Sequence, residues 1–380
     1  MKKVGILGGT FDPIHRAHLA LAEMARVRYS LDEIWIMPSG NSYFKTVHGH
    51  VTDAFYRLEM CRIAIEEMNS RSVSAGKYTL ADIETRRQGY TYTGDTLLQL
   101  SREYPDVEWY FIIGADSLKG MKHWYAPEVI FHCATVIVGN RNDQVPVDDL
   151  LADRAWLEQR YHGRIRLMPF ASMDISSSKI RSAIHENGAC TEFLTKKVAD
   201  YIRERHLYRE PMTIAEIDAD LKRRLKTSRY VHTLGVAETA RKMAEHYGTV
   251  DPERAWLAGM IHDCGKYEGT ALTHGPVGAR IARNEYGIQD EEMLSAVYWH
   301  TTGKPDMTDL EKIIFIADYI EPNRDKAPHL DELRAMAMTD MDHTVVEILR
   351  GTLRYLQDIR AKIDGASIQT YDYYKKITES

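Results

Sequence analysis

Two groups of histidines stand out because the residues around each suggest phosphate chemistry. In the first group, His15 and His18 follow a glycine-containing stretch that begins at Gly8. Histidines three apart share one face of a helix, and two imidazole donors can stabilise charge on a phosphoryl group under attack. The glycines let the backbone approach a phosphate, and a helix beginning near Pro13 to Arg16 would point its positive end at the anion. The residues expected at this phosphate site are Gly8, Gly9, Thr10, Phe11, Asp12, His15 and His18.

A serine-rich stretch late in the first half of the chain is a second candidate for phosphate binding. Ser176, Ser177 and Ser178 offer hydroxyls, and Lys179 and Arg181 fall in the first turns of the helix expected after them. Hydroxyls, cations and the positive end of a helix together suit a polyphosphate. A serine run by itself usually only caps a helix, so this prediction depends on the two stretches contributing to one site.

The second group of histidines is dispersed and includes carboxylates. In chain order the set is His232, His262, Asp263, His274, His300 and Asp318. Nitrogen and oxygen ligands without thiolate suit iron, manganese or magnesium better than a structural zinc site. Such an ion would polarise a phosphoryl oxygen and supply hydroxide near neutral pH. Any one of these histidines alone is more often structural, and the metal prediction depends on the whole set. We interpret Cys264 as a small buried residue and Lys266 as more often solvated than bound to phosphate.

The elements that must position these residues differ between the two halves of the chain. In the first half, short apolar runs typical of buried parallel strands alternate with longer segments of helical spacing, which predicts a doubly wound α/β parallel sheet of Rossmann type. From about residue 214 to near residue 377, amphipathic helical stretches replace the strands, which predicts an all-α domain. The predicted strands are Val4–Leu7, Ile34–Met37, Trp109–Ile113, Thr135–Val138 and Ile165–Met168, and the clearest predicted helices are Ala17–Tyr29 and Ala54–Met68.

Length and composition favour two ordinary globular domains. A chain of 380 residues exceeds a comfortable single core, and Pro211 and Thr213 mark the boundary as a helix breaker and a cap. We therefore predict domains at 1–209 and 213–380. A formal net charge of −6 argues against a general nucleic-acid binder, and four scattered cysteines are typical of reduced thiols. No segment resembles a signal peptide or a membrane span, so we predict a cytoplasmic protein, possible as a homo-oligomer.

The stretches GGTFDPIHRAH and ISSSKIR together resemble the two signatures of the nucleotidyltransferase superfamily. Within it, the chain is similar to bacterial nicotinate-mononucleotide adenylyltransferases, on the evidence of Tyr90–Leu97, Ile113–Leu118 and Trp124. The resemblance spans roughly residues 1–209. It implies that Mg²⁺ accompanies ATP and that the mononucleotide phosphate attacks the α-phosphorus in line. Pyrophosphate then leaves without any enzyme nucleophile.

The resemblance also implies roles for individual residues. His15 and His18 would contact the ATP phosphates, with Ser177, Ser178 and Arg181 on the other side. Other substrate contacts would come from Lys45, Thr93, Gly114, Asp116, Trp124, Arg141 and Ser176.

The choice of substrate in the first half stays open at this point. Trp124 would stack on the pyridine ring, although plain packing is an equal alternative. The loop Pro38–Lys45 lacks the compact Pro-Pro-His-Lys string common in relatives, which leaves the amide mononucleotide as an alternative to the acid. A pantetheine-phosphate adenylyltransferase and a nucleotide sensor are further alternatives that fit the motifs less well.

The second half resembles the HD-domain metallohydrolases. The matches LAGMIHDCGK, HGPVGA, WHTTG and KIIFIADYIEPNR narrow the resemblance to the branch that hydrolyses diadenosine tetraphosphate symmetrically into two ADP, over roughly residues 213–370. It implies an iron-type or manganese-type core of His232, His262, Asp263 and Asp318. His274, His300 and Thr301 would bind substrate phosphates or a second ion, and Arg324 is a further phosphate candidate. Another HD phosphohydrolase or phosphodiesterase, or a regulatory module that binds a nucleotide, remain alternatives.

Overall fold

A computed structural model describes residues 1–40, 51–71, 77–141, 146–170, 175–186, 191–325 and 328–379 of the chain. The chain divides into two compact units, Met1–Arg209 and Glu210–Ser380. Each unit contains one of the two groups of histidines.

The first unit is built on a six-stranded parallel sheet. Its strand order is β3-β2-β1-β4-β5-β6, the order of a doubly wound fold. The five predicted strands all lie inside observed ones. The prediction omitted β3, a strand of only three residues that pairs with β2 at the sheet edge. The strands are β1 (Lys2–Gly9), β2 (Glu33–Pro38), β3 (Tyr78–Leu80), β4 (Val107–Gly114), β5 (Ala134–Arg141) and β6 (Ile165–Phe170).

Both faces of this sheet are covered, which explains why its strands are continuous apolar runs rather than alternating ones. In β4, Tyr110 and Ile112 belong to one hydrophobic cluster, whereas Trp109, Phe111 and Ile113 belong to another on the opposite face. The helices of this unit are α1 (Arg16–Arg28), α2 (Ala54–Asn69), α3 (Thr93–Glu103), α4 (Ala115–Gly120), α5 (Pro127–Cys133), α6 (Val147–Tyr161), α7 (Ser177–His185) and α8 (Lys196–Glu204).

The second unit is helical throughout its described residues. Thr213 caps its first helix, as predicted, in a reciprocal arrangement with Glu216. The preceding helix ends at Glu204, well before Pro211, so the proline lies in the connection and does not itself end a helix. The helices are α9 (Ile214–Arg224), α10 (Thr227–Tyr247), α11 (Pro252–Ile261), α12 (His274–Asn284), α13 (Glu291–Trp299), α14 (Asp309–Ile320), α15 (Leu330–Met336), α16 (Met341–Asp358) and α17 (Gly365–Thr378).

The core of the second unit surrounds α14, whose apolar residues from Ile313 to Ala317 are at most 5% exposed. Tyr374 of α17 is 2% exposed and its hydroxyl accepts from the backbone N–H of Met307, so the C-terminal tyrosine-rich stretch reaches the core. Cys264 is buried and unbridged. Among the described residues, no helix combines the length and apolar character needed to cross a membrane.

Candidate active sites

The loop between β1 and α1 holds the first pair of histidines at the carboxyl edge of the sheet. Helix α1 begins at Arg16, so His15 caps it and His18 lies in its first turn. The two imidazole rings stack with centroids 3.6 Å apart, and the backbone N–H of His15 donates to Nδ1 of His18 at 3.3 Å. His15 is 2% exposed, whereas His18 is half-buried. Both imidazoles therefore lie at the N-terminus of α1, where an anion is favoured.

The serine-rich stretch meets this loop directly. Ser177 donates its hydroxyl to the carbonyl oxygen of Pro13 at 2.9 Å, and Arg181 Nη1 donates to the carbonyl oxygen of Asp12 at 2.7 Å. Ser176 caps α7 by accepting from the backbone of Lys179. Ser178 is exposed beside Arg181. The structure thus brings the two predicted phosphate stretches together, although they are about 165 residues apart in the chain.

Two residues that the sequence analysis did not identify hold the same loop. The buried Arg57 of α2 donates Nη1 to the carbonyl oxygens of Thr10 and Ser39, both at 2.9 Å. Tyr208 donates its hydroxyl to Oδ1 of the buried Asp12 at 2.7 Å. The same helix also contains the exposed Arg62, so the sequence alone does not distinguish Arg57, and nothing local in the sequence points to Tyr208.

The residues predicted for the pyridine nucleotide lie on two neighbouring segments. Gly114 precedes α4 and Asp116 lies exposed in its first turn. Thr93 begins α3. The first turn of this helix packs against the backbone just after Trp124, because a Cβ at Gly94 would lie only 3.3 Å from the carbonyl oxygen of Ala126. The half-buried indole of Trp124 is edge-on to Phe111, with ring centroids 6.3 Å apart.

Two predicted phosphate contacts have no described side chain. Lys45 lies outside the described residues. Arg141 ends β5, but only its backbone is described.

The second unit brings its dispersed histidines and carboxylates to one place. His232 comes from α10, His262 and Asp263 follow α11, and Asp318 lies on α14. His274 begins α12, and His300 follows α13. The six residues come from five helices or their ends, and four of them are almost fully buried: His262, Asp263, His274 and His300.

The ligand atoms form two adjoining groups, which we call position A and position B. Position A consists of His232, His262 and Asp318: Asp318 Oδ1 lies 2.9 Å from His232 Nε2 and 3.8 Å from His262 Nε2. Position B consists of Asp263, His274 and His300: Asp263 Oδ1 lies 3.3 Å and 3.5 Å from the two Nε2 atoms, which are 2.9 Å apart.

Asp263 connects the two positions through its second oxygen, Oδ2, which lies 3.6 Å from His262 Nε2. Nitrogen and oxygen atoms this close can share an ion at bonds of roughly 2.0–2.2 Å. Among the described residues, two groups have ligand atoms close enough together to hold an ion, and both lie in this unit: His232, His262 and Asp318, and His262, Asp263 and His300.

Each of the four histidines directs Nε2 inward and has a partner for Nδ1. His262 Nδ1 lies 2.7 Å from the carbonyl oxygen of Gly259, and His300 Nδ1 lies 2.7 Å from that of Val297. His274 Nδ1 lies 3.0 Å from the carbonyl oxygen of Thr270. A carbonyl can only accept, so it keeps the ring proton on Nδ1 and leaves the Nε2 lone pair for a metal ion.

The buried charges of this cluster shift one another's pKa values. Burial lowers the pKa of His262 to about 4, so its imidazole is neutral at physiological pH. Burial alone would raise the pKa of Asp263, but His262, His274 and His300 outweigh it and hold that pKa well below its usual range. The pKa of Asp318 is also held low, against burial, by its contact with His232. The cluster therefore offers carboxylates that stay ionised, as a metal ion requires.

Three cations and one hydroxyl surround the cluster. Arg229 Nη1 lies 2.9 Å from Asp263 Oδ2, and Arg324 Nη2 lies 3.5 Å from Asp318 Oδ1. Lys266 Nζ lies 3.2 Å from His274 Nε2, and its side chain is half-buried. Thr301 Oγ1 lies 3.1 Å from His274 Nε2. Arg229 was not predicted, although it lies three residues before His232 on the same face of α10.

Comparisons with known proteins match both halves of the chain. Residues 6–183 match the family model described as cytidylyltransferase-like, and residues 229–323 match the HD domain. A probable nicotinate-nucleotide adenylyltransferase of Lachnoclostridium phytofermentans is 38% identical over 208 residues, which cover 55% of this chain and all of that protein. The symmetrical bis(5'-nucleosyl)-tetraphosphatase of Bacillus subtilis is 35% identical over 183 residues, which cover 43% of this chain and 97% of that protein.

One relative matches both halves at once. A probable nicotinate-nucleotide adenylyltransferase/Ap4A hydrolase of Mycoplasma genitalium is 26% identical over 383 residues, which cover 94% of this chain and 99% of that protein. The fusion is therefore shared with a protein of the same organisation. Together with the α/β sheet and the helical metal-ligand cluster, these matches show that the chain belongs to the nicotinate-nucleotide adenylyltransferase family in its first half and to the symmetrical bis(5'-nucleosyl)-tetraphosphatase family in its second half.

Proposed function

We propose that the first domain, residues 1–209, transfers AMP from ATP to nicotinate mononucleotide and releases pyrophosphate. The observation that carries this proposal is the contact of the two phosphate stretches through the carbonyl groups of Asp12 and Pro13. The reaction needs no enzyme nucleophile, because the mononucleotide phosphate itself attacks the α-phosphorus of ATP. What the protein must supply is positioning and hydrogen-bond donors for the developing charge.

The individual residues of this domain would divide that task. We assign His15 and His18 to the ATP phosphates, where imidazole N–H groups and the N-terminus of α1 would stabilise negative charge. Arg181, Ser177 and Ser178 would hold the triphosphate from the opposite side. The Mg²⁺ that accompanies ATP belongs to the substrate. Gly8, Gly9, Thr10, Phe11, Asp12, Lys45, Gly114, Arg141 and Ser176 would complete the nucleotide-binding surface.

The pyridine ring would be recognised by Trp124, with Thr93 and Asp116 near it. The substrate choice is tested by measuring kcat/KM for nicotinate mononucleotide and for the amide mononucleotide with the same enzyme preparation. We expect the acid to be preferred. A clear preference for the amide would assign the first domain a different substrate without changing its reaction, whereas no pyrophosphate with either would overturn the proposal.

We propose that the second domain, residues 213–380, hydrolyses diadenosine tetraphosphate symmetrically to two ADP. The observation that carries this proposal is the convergence of four inward-facing Nε2 atoms with Asp263 and Asp318. The residues fit a divalent metal, because Nε2 of the fully buried His262 has no hydrogen-bond partner among the described residues and faces two carboxylates. We propose iron or manganese on the basis of the nitrogen and oxygen donors.

A bound divalent ion would supply Lewis-acid activation of the central phosphoanhydride and of the attacking water. His232, His262, Asp263 and Asp318 would hold it, and position B would hold a second ion or a substrate phosphate. The surrounding groups would then bind the polyphosphate chain. Arg229, Lys266 and Arg324 carry positive charge around the two positions, and Thr301 provides a hydroxyl at position B.

Product analysis tests this proposal. Metal-loaded full-length protein is incubated with diadenosine tetraphosphate, the products are separated by chromatography, and Asp263→Ala serves as the control. Two ADP that disappear in the variant would support symmetrical hydrolysis at this site. AMP plus ATP would assign asymmetric cleavage. An absence of turnover with iron or manganese would favour another phosphate ester, or a module that only binds a nucleotide.

The fusion is chemically coherent, since both domains act on adenylated phosphoanhydrides. We propose that the second domain removes dinucleoside polyphosphates that form as by-products of adenylyl transfer. Equal coupled flux from the linked and the separated domains would contradict a role for the linkage. The cytoplasmic location and a homo-oligomeric state remain predictions from the sequence.

A further inference from the structure

His232 is held differently from the other three histidines of the metal-ligand cluster. His262, His274 and His300 each direct Nδ1 to a backbone carbonyl oxygen. Nδ1 of His232 instead lies 3.1 Å from Oε1 of Glu321, a carboxylate that is 2% exposed. A carboxylate partner adds a full negative charge behind one ligand, which none of the three carbonyl groups provides.

The surroundings of Glu321 fix which of its oxygens faces His232. Oε2 accepts from the backbone N–H of Asn323 at 2.7 Å and from its side-chain amide at 3.0 Å. Gly235 of α10 leaves room for this arrangement, because a Cβ there would lie 2.3 Å from Glu321 Oε2. The carboxylate is therefore bound on one side by two donors, and its Oε1 is left for His232.

The charges around the two metal positions are consequently unequal. Position A has Glu321 behind His232. Position B has no such carboxylate among the described residues. A cation lies beside each position, with Arg324 Nη2 3.5 Å from Asp318 Oδ1 and Lys266 Nζ 3.2 Å from His274 Nε2, so the difference between the positions is the carboxylate behind His232. Negative charge behind a ligating imidazole strengthens its metal bond.

We propose that Glu321 is a positioning residue that keeps His232 as a ligand through Nε2 and makes position A bind its ion more tightly than position B. The inference rests on the metal site proposed above. It predicts sequential metal loss, in which a chelator removes the ion at position B first.

Glu321→Gln is the sharpest test because it changes the charge without changing the size. The two N–H donors of Asn323 would attract the amide oxygen of the glutamine, so that its NH₂ group would face His232 Nδ1. That arrangement favours the proton on Nε2 and removes the lone pair that would bind metal. We expect the affinity for the tighter ion to fall about 10- to 100-fold, measured as metal per full-length chain after equilibration with a competing chelator.

The matched control is Glu311→Gln. Glu311 lies on α14, the helix that carries Asp318, and is 2% exposed. It accepts a hydrogen bond from Ser295 and pairs with Lys304, so its substitution removes a buried charge from this helix without touching His232. We expect Glu311→Gln to bind metal within about twofold of the wild type. Gly235→Ala is a second variant that displaces the same carboxylate from the other side, and we expect it to weaken the tighter ion as well.

Wild-type retention of the tighter ion in both Glu321→Gln and Gly235→Ala would overturn the inference. Equal loss in the Glu311→Gln control would also overturn it. The failure of the inference is distinguishable from that of the proposed function, because metal is measured without substrate. Wild-type protein that produces no ADP from diadenosine tetraphosphate would refute the function alone.

Discussion

The two candidate active sites of this chain are assembled from different contacts. In the first domain, the side chains that hold the phosphate loop donate to backbone carbonyl groups: Arg181 to Asp12, Ser177 to Pro13 and Arg57 to Thr10. In the second domain, the side chains mainly face one another. For example, the carboxylate oxygens of Asp263 lie within 4 Å of nitrogen atoms of five side chains: His262, His274, His300, Arg229 and Lys266.

The difference indicates what each site needs from its ligand. A loop held through its backbone keeps its shape when empty, and the anionic substrate then meets donors that are already oriented. Burying an ionised carboxylate costs several kcal/mol. A divalent cation held by the carboxylates and the imidazoles offsets that cost. We therefore expect the first site to depend on individual donors and the second to depend on its metal as a unit.

The largest expected effect follows from removing the carboxylate shared by both metal positions. In Asp263→Asn, we expect hydrolysis of diadenosine tetraphosphate to fall about a thousandfold or more, because metal activation is worth several kcal/mol. Metal content measured on the same samples should fall with it. Asp331→Asn, whose side chain is 97% exposed, is the control. Hydrolysis within tenfold of the wild type would mean that Asp263 does not connect the two positions.

A smaller effect is expected from removing one donor in the first domain. In Arg181→Met, we expect kcat/KM for ATP to fall about 10²- to 10³-fold, the usual cost of losing one preorganised donor to a developing charge. Steady-state pyrophosphate release measures it. Arg203→Met removes an exposed arginine paired with Asp200 and should leave the rate unchanged. An Arg181→Met enzyme with wild-type kinetics would show that the serine-rich stretch has only a capping role.

Tyr208→Phe tests whether the phosphate loop depends on contacts far from the substrate. The variant leaves Oδ1 of the buried Asp12 without its hydroxyl donor. We expect the free energy of unfolding of the first domain to fall by about 1–3 kcal/mol and adenylyl transfer to fall about tenfold. Denaturant titration and initial rates measure the two effects, with the exposed Tyr104→Phe as control. A rate and stability equal to wild type would mean that Arg57 and Arg181 hold the loop without Tyr208.

The smallest expected effect concerns a buried charge that no metal position neutralises. Burial raises the pKa of Glu84, against hydrogen bonds from Thr96 and Thr91. Because the folded-state pKa is the higher one, the unfolded chain loses this proton first, and stability falls as pH rises through the folded pKa. Glu84→Gln removes this dependence.

The free energy of unfolding of Glu84→Gln, measured relative to that of the wild type, should therefore increase as the pH is raised from about 4 to about 7. We expect a change of about 1 kcal/mol or less. Denaturant midpoints at both pH values measure it. A difference that stays constant with pH would show that Glu84 keeps an ordinary pKa in the folded protein.

Residue type and periodicity predicted most of the strands and the change to an all-helical second domain, because both leave strong local patterns in the sequence. Apolar runs such as Trp109–Ile113 are continuous since both faces of the sheet are covered. The short strand Tyr78–Leu80 had too few residues to show a pattern. The candidate metal-ligand set was recognisable in the sequence because its histidines and aspartates lie inside apolar helical segments.

The contacts that position the predicted residues were not predictable in the same way. Tyr208 reaches Asp12 across 196 residues, and only the packing of the folded chain brings them together. Glu321 lies three residues after Asp318, just past the end of α14, and a single glutamate there carries no sequence pattern. Partners of site residues are set by tertiary structure, whereas the site residues themselves are chosen for their chemistry.

A crossed measurement tests whether one chain holds two separate catalysts. Wild-type protein, His18→Ala and Asp263→Ala are each assayed for pyrophosphate release from ATP with nicotinate mononucleotide, and for ADP release from diadenosine tetraphosphate. We predict that His18→Ala loses only the first activity and Asp263→Ala only the second, each by at least about a hundredfold. A variant that loses both activities, or a wild type that lacks either one, would mean that the chain does not hold two separate catalysts.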